Sequence, residues 1–142
     1  MIGHDAIARL VPHAGAMVLL DRVLAWDASG IDCRARSHLA PGNPLRRDGR
    51  LAACCGIEYG LQAAALHGAL VAGGVAQRAG YIAVLRDVAL QADQLDDPAH
   101  GELAIEARLE RQEAFGIMYC FTVRTGAGAP LVSGRASVAL PR

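Results

Sequence analysis

The chain has 142 residues, 53% of them hydrophobic, and 14 basic side chains balance 14 acidic ones for a net charge of zero. That length suits one domain with one core, and the composition argues against a disordered chain and against a nucleic-acid binder with a basic face. All the basic residues are Arg and Lys is absent, which excludes Schiff-base chemistry and a phosphate-loop Lys.

Taken in chain order, the first nine residues are mixed polar and lack the apolar centre of a signal peptide. Residues 2–10 read as a short helix ending at Pro12. Met17 to Trp26 is an apolar run broken by Asp21 and Arg22, and reads as a strand. Ser29-Gly30 is a turn signal. Ile31, Cys33 and Ala35 then alternate with Asp32, Arg34 and Arg36, the pattern of a half-buried strand reaching Ser37. Leu39 to Arg50 is rich in Pro, Gly, Asn and Arg and reads as a loop.

A long helix follows, beginning between Ala52 and Gly56 and stopping near Gly73-Gly74. The apolar run from Leu51 to Val75 is long enough to raise a membrane span, but it carries Glu58, Gln62 and His67 and is mostly Ala and Gly. It is read as a core helix whose small side chains let a curved sheet come close. Four further strands are expected. They are Tyr81 to Leu90, then, past an acidic turn region from Gln91 to Gly101, a strand around Leu103 to Glu110. Ile117 to Val123 and, after the loop Gly126 to Pro130, Val132 to Leu140 complete the set. The expected class is α+β, one domain over residues 1–142, with one long helix beside an early hairpin and a later meander. A single sheet around one helix leaves edges to manage, and pairing of two copies is a common solution.

Glu58 is the informative residue. A carboxylate inside an apolar helix is costly to bury unless something pairs with it or uses it. Gln62, four residues on, shares its face and could hydrogen-bond to it. The alternative is a structural Glu held by its own helix and a nearby Arg, and spacing alone does not separate the two. Cys33, Cys54, Cys55 and Cys120 form neither a C-x-x-C pair nor a zinc spacing with His. They are read as free thiols in a reducing cytoplasm, with no metal site.

Two motifs add a resemblance. Leu10-Val11-Pro12-His13 leading into Met17 to Val23, and Ile57-Glu58 with Gln62, resemble the 3-hydroxyacyl-(acyl carrier protein) dehydratases. These are hotdog-fold proteins in which an antiparallel sheet wraps one long central helix. Asn43-Pro44-Leu45-Arg46, Gly49-Arg50-Leu51 and Gly56-Ile57-Glu58-Tyr59 look like the divergent branch encoded with aryl polyene pigment biosynthesis. The resemblance implies a cytoplasmic dimer, without cofactor, acting on thioesters of acyl carrier protein or CoA. It implies no nucleic acid and no membrane span. In that chemistry a His removes the proton next to the thioester carbonyl and a helix carboxylic residue acts as acid or positions water. A backbone N–H at the helix start polarises the carbonyl. Glu58 matches the helix acid, and the backbone around Ala53 and Cys54 would form the oxyanion-binding turn, with Gly56 and Gln62 matching helix positions of the family.

The family His belongs to a Gly-His-Phe segment fourteen residues before the acid, and that position here is Pro44. Ala52-Ala53 stands where the family has Pro-Gly. Three explanations compete: His38 reaches in from the same loop, a partner subunit supplies the base, or the dehydration step has been lost. His13 matches a family position and is also readable as a loop His bonded to backbone. Asn43 could hold a thioester or a water, or be an ordinary turn residue. Arg46, Arg47 and Arg50 could meet pantetheine phosphates or an acidic carrier, or simply be solvated. Cys54 could be a nucleophile at a helix N-terminus or a small core thiol, and Tyr59 is read as interface packing. The leading expectation is a 3-hydroxyacyl-thioester dehydratase of fatty acid or aryl polyene type. The alternatives are a hotdog thioesterase and a non-catalytic hotdog subunit in a heterodimer with an active one.

Overall fold

Alternating apolar strands and a helix rich in Ala and Gly can share one core only if the sheet curls over the helix. A computed structural model describes residues 2–75, 81–114 and 116–139, and it shows this arrangement. In chain order the elements are β1 (Ile2–Gly3), α1 (His4–Leu10), β2 (Arg22–Asp27), β3 (Gly30–Ala35), α2 (Gly56–Val71), β4 (Tyr81–Leu90), β5 (Leu103–Glu113), β6 (Gly116–Arg124) and β7 (Pro130–Ala139). The strands form one antiparallel sheet in the order β1-β2-β3-β5-β6-β7-β4. The helix lies against β3, β5, β6 and β7. Ile31, Cys33 and Ala35 face it from β3, with Ile105 and Ala107 on β5 and Phe121 and Val123 on β6. Asp32 and Arg34 pair on the outer face, as the alternation requires.

Glycine sets how closely helix and sheet approach. A Cβ added at Gly60 would overlap the Phe121 ring, and one at Gly56 would come within 2.7 Å of Val132. The two positions are one helical turn apart on the same side, so α2 presents a bare backbone stripe to β6 and β7.

Several boundaries differ from the sequence reading, each for a local reason. The strand expected from Met17 begins only at Arg22, because the backbone N–H groups of Leu19 and Leu20 bond the Gln62 side chain and not a neighbouring strand. Ile2 and Gly3 precede α1 as a short strand on the edge of β2. Ser37 leaves its strand for a single 3-10 turn, Ser37–Leu39. The later strands are not one simple meander: β4 lies beyond β7, and β5 pairs with β3. The connection from β4 back to β5 is tied to the start of α2, where Ala53 N–H donates to Asp93 O (3.0 Å) and Leu95 N–H to Leu51 O (2.9 Å). Leu140, expected to end the last strand, lies outside the described residues.

No described helix is long and apolar enough to cross a membrane. Edge strand β4 exposes Val84, Leu85, Val88 and Leu90, each by 40% or more, the kind of edge that natural proteins cover or pair.

The glycine stripe is testable by contrast within one helix. Gly60→Ala gains about 1 kcal/mol of helix propensity but meets the Phe121 ring, and overpacking costs about 1–3 kcal/mol, so urea unfolding should show a net loss of stability. Gly68→Ala, which has open space around its Cβ position, should show a gain of about 1 kcal/mol in the same assay.

Candidate functional site

Rotation along α2 separates three faces. At about 100° per residue, Gly56, Gly60, Ala63 and His67 share the side against the sheet. Tyr59, Gln62 and Leu66 share a flank, and Cys54, Glu58, Leu61 and Ala65 point away. The first two sets are buried, whereas Glu58, Leu61 and Ala65 are half-buried and Cys54 is exposed.

Glu58 has no hydrogen bond or ion pair among the described residues. That distinguishes it from the other half-buried carboxylates. Asp21 accepts from Arg36 N–H, Asp32 pairs with Arg34, Asp96 with Arg46, Asp97 caps Ala99, and Glu102 takes Arg22 and Arg36. Glu58 is therefore a free carboxylate on a largely apolar, incompletely covered helix face.

Gln62, on the flank next to Glu58, does not bond it. Its Oε1 accepts from Leu19 N–H (2.7 Å) and Leu20 N–H (3.2 Å), and its Nε2 donates to Met17 O (2.8 Å). The N-terminal motif and the helix motif are thus two sides of one contact. Tyr59 is fully buried and is not interface packing. Its hydroxyl lies 2.8 Å from Ser37 Oγ and accepts from Asn43 Nδ2 at 3.2 Å. Burial holds this phenol above its ordinary pKa despite the opposing hydrogen bonds from Ser37 and Asn43, so it stays protonated. The role of Tyr59 was missed in the sequence. The available signal was a large aromatic hydroxyl in a helix of small residues, which needs a partner when buried.

None of the remaining candidates hydrogen-bonds Glu58 among the described residues. Asn43 is buried and turned inward: Nδ2 also donates to Ser37 O (3.0 Å), and Oδ1 accepts from Leu45 N–H (2.9 Å). Arg46 is drawn into its own loop, donating to Asp96 (2.7 Å), Ala40 O (2.9 Å) and His38 O (3.0 Å). Burial raises the Asp96 carboxyl, but Arg46 and backbone N–H groups outweigh it and hold it below the usual value. Ala53 N–H is taken by Asp93 O, while Cys54 N–H has no backbone acceptor outside its own helical turn. Gly56 serves the packing against Val132. The neighbouring Cys55 thiol is pushed up, first by burial and then by Cys54 and Glu58.

His38 is fully buried, and neither ring nitrogen reaches a hydrogen-bond partner. Burial pushes its pKa below 6.5, with His100 acting the same way and the Gly101 backbone, Asp21 and Asp96 acting against. Apart from burial, these influences come from the β2 start and the β4–β5 connection. His13 is half-buried and its Nδ1 is also unpartnered. His67 is buried on the sheet side, with Nε2 on Asp27 O (2.8 Å) and Nδ1 on the Tyr119 hydroxyl (2.6 Å).

Comparison with known proteins adds the following. The sequence model of the ApeP-like family, described as ApeP dehydratase, matches residues 5–142. No curated protein matches the chain by sequence. The solved structures it resembles include the dehydratase heterocomplex ApeI:P from Xenorhabdus doucetiae, with a TM-score of 0.80 and 22% identity over 96% of this chain and 91% of that one. Another is zebra fish thioesterase superfamily member 2, with a TM-score of 0.66 and 13% identity over 97% and 93% of the two chains. A third is AziG of S. sahachiroi, with a TM-score of 0.63 and 15% identity over 89% and 93%. The fold is the hotdog fold.

Two measurements probe these side chains. Gln62→Ala leaves two N–H groups and a carbonyl without their partner, each costing about 1–3 kcal/mol when buried, so denaturant unfolding should show a loss of about 3 kcal/mol or more. His38 has a folded pKa below its unfolded value, so its stabilisation is complete above about pH 6.5 and is lost as pH falls from there through the folded value. Stability should drop with acidification below that pH, and His38→Gln should flatten the slope.

Proposed function

The chain belongs to the ApeP-like dehydratase family, and from that premise we propose that it is the carboxylate-bearing subunit of a hotdog heterodimer that dehydrates 3-hydroxyacyl thioesters. The observation that carries this reading is Glu58, half-buried yet unpaired on a helix face that its own chain leaves partly uncovered.

In the proposed reaction a base removes the proton from the carbon next to the thioester carbonyl. The electron pair forms the new double bond, and the hydroxyl on the next carbon leaves as water with the proton of Glu58. The products are an enoyl thioester and water. The Cys54 N–H, unclaimed by backbone and at the positive end of the helix dipole, is the donor best placed to meet the carbonyl oxygen, since Ala53 N–H is already bonded. Among the described residues no imidazole hydrogen-bonds or ion-pairs with Glu58, and Pro44 stands where the resemblance implies a His. The base therefore comes from a second hotdog subunit. A heterocomplex is known for the similar ApeI:P structure, and the exposed apolar edge of β4 supplies a surface on which a second sheet could pair.

The thioester would be carried by acyl carrier protein. Exposed Arg50, and exposed Arg47 with its guanidinium resting on the Pro44 and Arg46 carbonyls, have no carboxylate partner among the described residues, unlike Arg46, and could meet an acidic carrier. Aryl polyene or fatty acid synthesis is the proposed setting. Four unpaired cysteines fit a reducing compartment such as the cytoplasm.

The test is reconstitution with a hotdog subunit that has the Gly-His-Phe segment, assayed with 3-hydroxybutyryl-acyl carrier protein. Glu58→Gln should cut enoyl formation by about 10²–10⁴-fold while thermal unfolding changes little, because the carboxylate has no partner to lose. Unchanged turnover would defeat the assignment, and release of free thiol in place of enoyl product would make the protein a thioesterase.

A further inference from the structure

Residue Tyr59 and its contacts form a closed hydrogen-bond circuit that begins and ends on α2. The Tyr59 hydroxyl meets Ser37 Oγ at 2.8 Å, Ser37 Oγ meets Leu19 O at 2.7 Å, and Leu19 N–H returns to Gln62 Oε1 at 2.7 Å. The proton order is determined. Ser37 has one hydroxyl hydrogen, and the Leu19 carbonyl can only accept, so Ser37 donates to it. Tyr59 must then donate to Ser37, and Asn43 Nδ2 fills the free lone pair of the Tyr59 oxygen at 3.2 Å. Tyr59 and Gln62 are three residues apart on one helix flank, so the peptide of Leu19 and the side chain of Ser37 grip that flank at two points.

This grip matters because the start of α2 lacks a side-chain N-cap and is otherwise held by backbone bonds at Ala53 and Leu51 and by the weak contact of the Cys55 thiol with Leu45 O (3.8 Å). Neither the 3-10 turn Ala53–Cys55 nor α2 has a side-chain N-cap bond, and an uncapped first turn is free to fray. Glu58 sits in that turn, directly before Tyr59. The glycine contacts with Phe121 and Val132 limit how far the helix stands from the sheet, while the circuit opposes its rolling about its own axis.

We propose that Tyr59 is a positioning residue for Glu58, aiming the carboxylate through the circuit with Ser37, Leu19 and Gln62. The claim rests on Glu58 being the working acid, and it adds two residues, Tyr59 and Ser37, to the machinery of that site. They act at one remove from the substrate.

The experiment uses the reconstituted heterodimer and 3-hydroxybutyryl-acyl carrier protein. Tyr59→Phe keeps the buried ring and removes only the hydroxyl. Displacing a reacting group by a fraction of an ångström to an ångström costs about 10- to 100-fold in rate, so kcat should fall by that factor with KM within about twofold. Ser37→Ala should reproduce the effect, and the double variant should be no slower than either single one, because both cut the same circuit. Ser37→Ala also carries the test alone if Tyr59→Phe fails to fold. A purely structural role would lower the unfolding temperature and leave kcat of the folded complex intact, and that result would overturn the proposal. If Glu58→Gln abolishes turnover while Tyr59→Phe and Ser37→Ala keep full kcat, the positioning role alone fails. If Glu58→Gln itself has no effect, both the acid and its positioning fall together.

Discussion

The contact of a glycine stripe with a phenylalanine governs this molecule. Gly56 and Gly60 bring the α2 backbone down onto Val132 and Phe121 so closely that no side chain fits between. Once that side of the helix is committed to the sheet, the helical rotation leaves no freedom for the rest. Residues about half a turn away must point outward, and Glu58 is one of them. The same contact that closes the core therefore places Glu58, the one unpaired half-buried acid among the described residues, on the open side.

Burial on the other faces is strict about polar groups. His67, on the sheet side, meets the Asp27 carbonyl with Nε2, which must be its N–H, leaving Nδ1 to accept from the Tyr119 hydroxyl. Gln62 serves three backbone groups and Tyr59 two side chains. Beside these satisfied groups of α2, an acid without a partner on the same helix stands out. The edge of β4, apolar and unpaired, stands out in the same sense.

Much of this was legible in the sequence because it is written in periods. The two-residue alternation of Ile31, Cys33 and Ala35 and the Ala-Gly content of the helix led directly to the sheet, the helix and their close approach. The motifs Pro12-His13 and Glu58 with Gln62 led to the family. What the sequence hid were choices between equally good partners. Gln62 could bond a carboxylate one turn back or the backbone of a distant segment, and only tertiary placement of Met17 to Leu20 decides for the latter. Arg46 reads as a free cation until Asp96, fifty residues away, is brought beside it. The position of β4 beyond β7 follows from how the 91–102 connection is tied to the helix start, a non-local pairing that no local pattern encodes.

The loop from Ser37 to Arg46 joins these threads. The resemblance read in the sequence implies an imidazole at the position of Pro44, and this loop carries none there. Here the residue before it, Asn43, folds its side chain under the loop to Tyr59 and Ser37 and spans Pro44 by accepting from Leu45 N–H. Proline has no N–H of its own and a restricted φ, so it suits such a closed turn and offers nothing to a substrate. The proline and the Asn43 bridge to Tyr59 belong to one closed turn. A loop whose Ser37 and Asn43 side chains are both committed to the Tyr59 hydroxyl is braced against the helix, so under the proposed function the base would have to come from elsewhere.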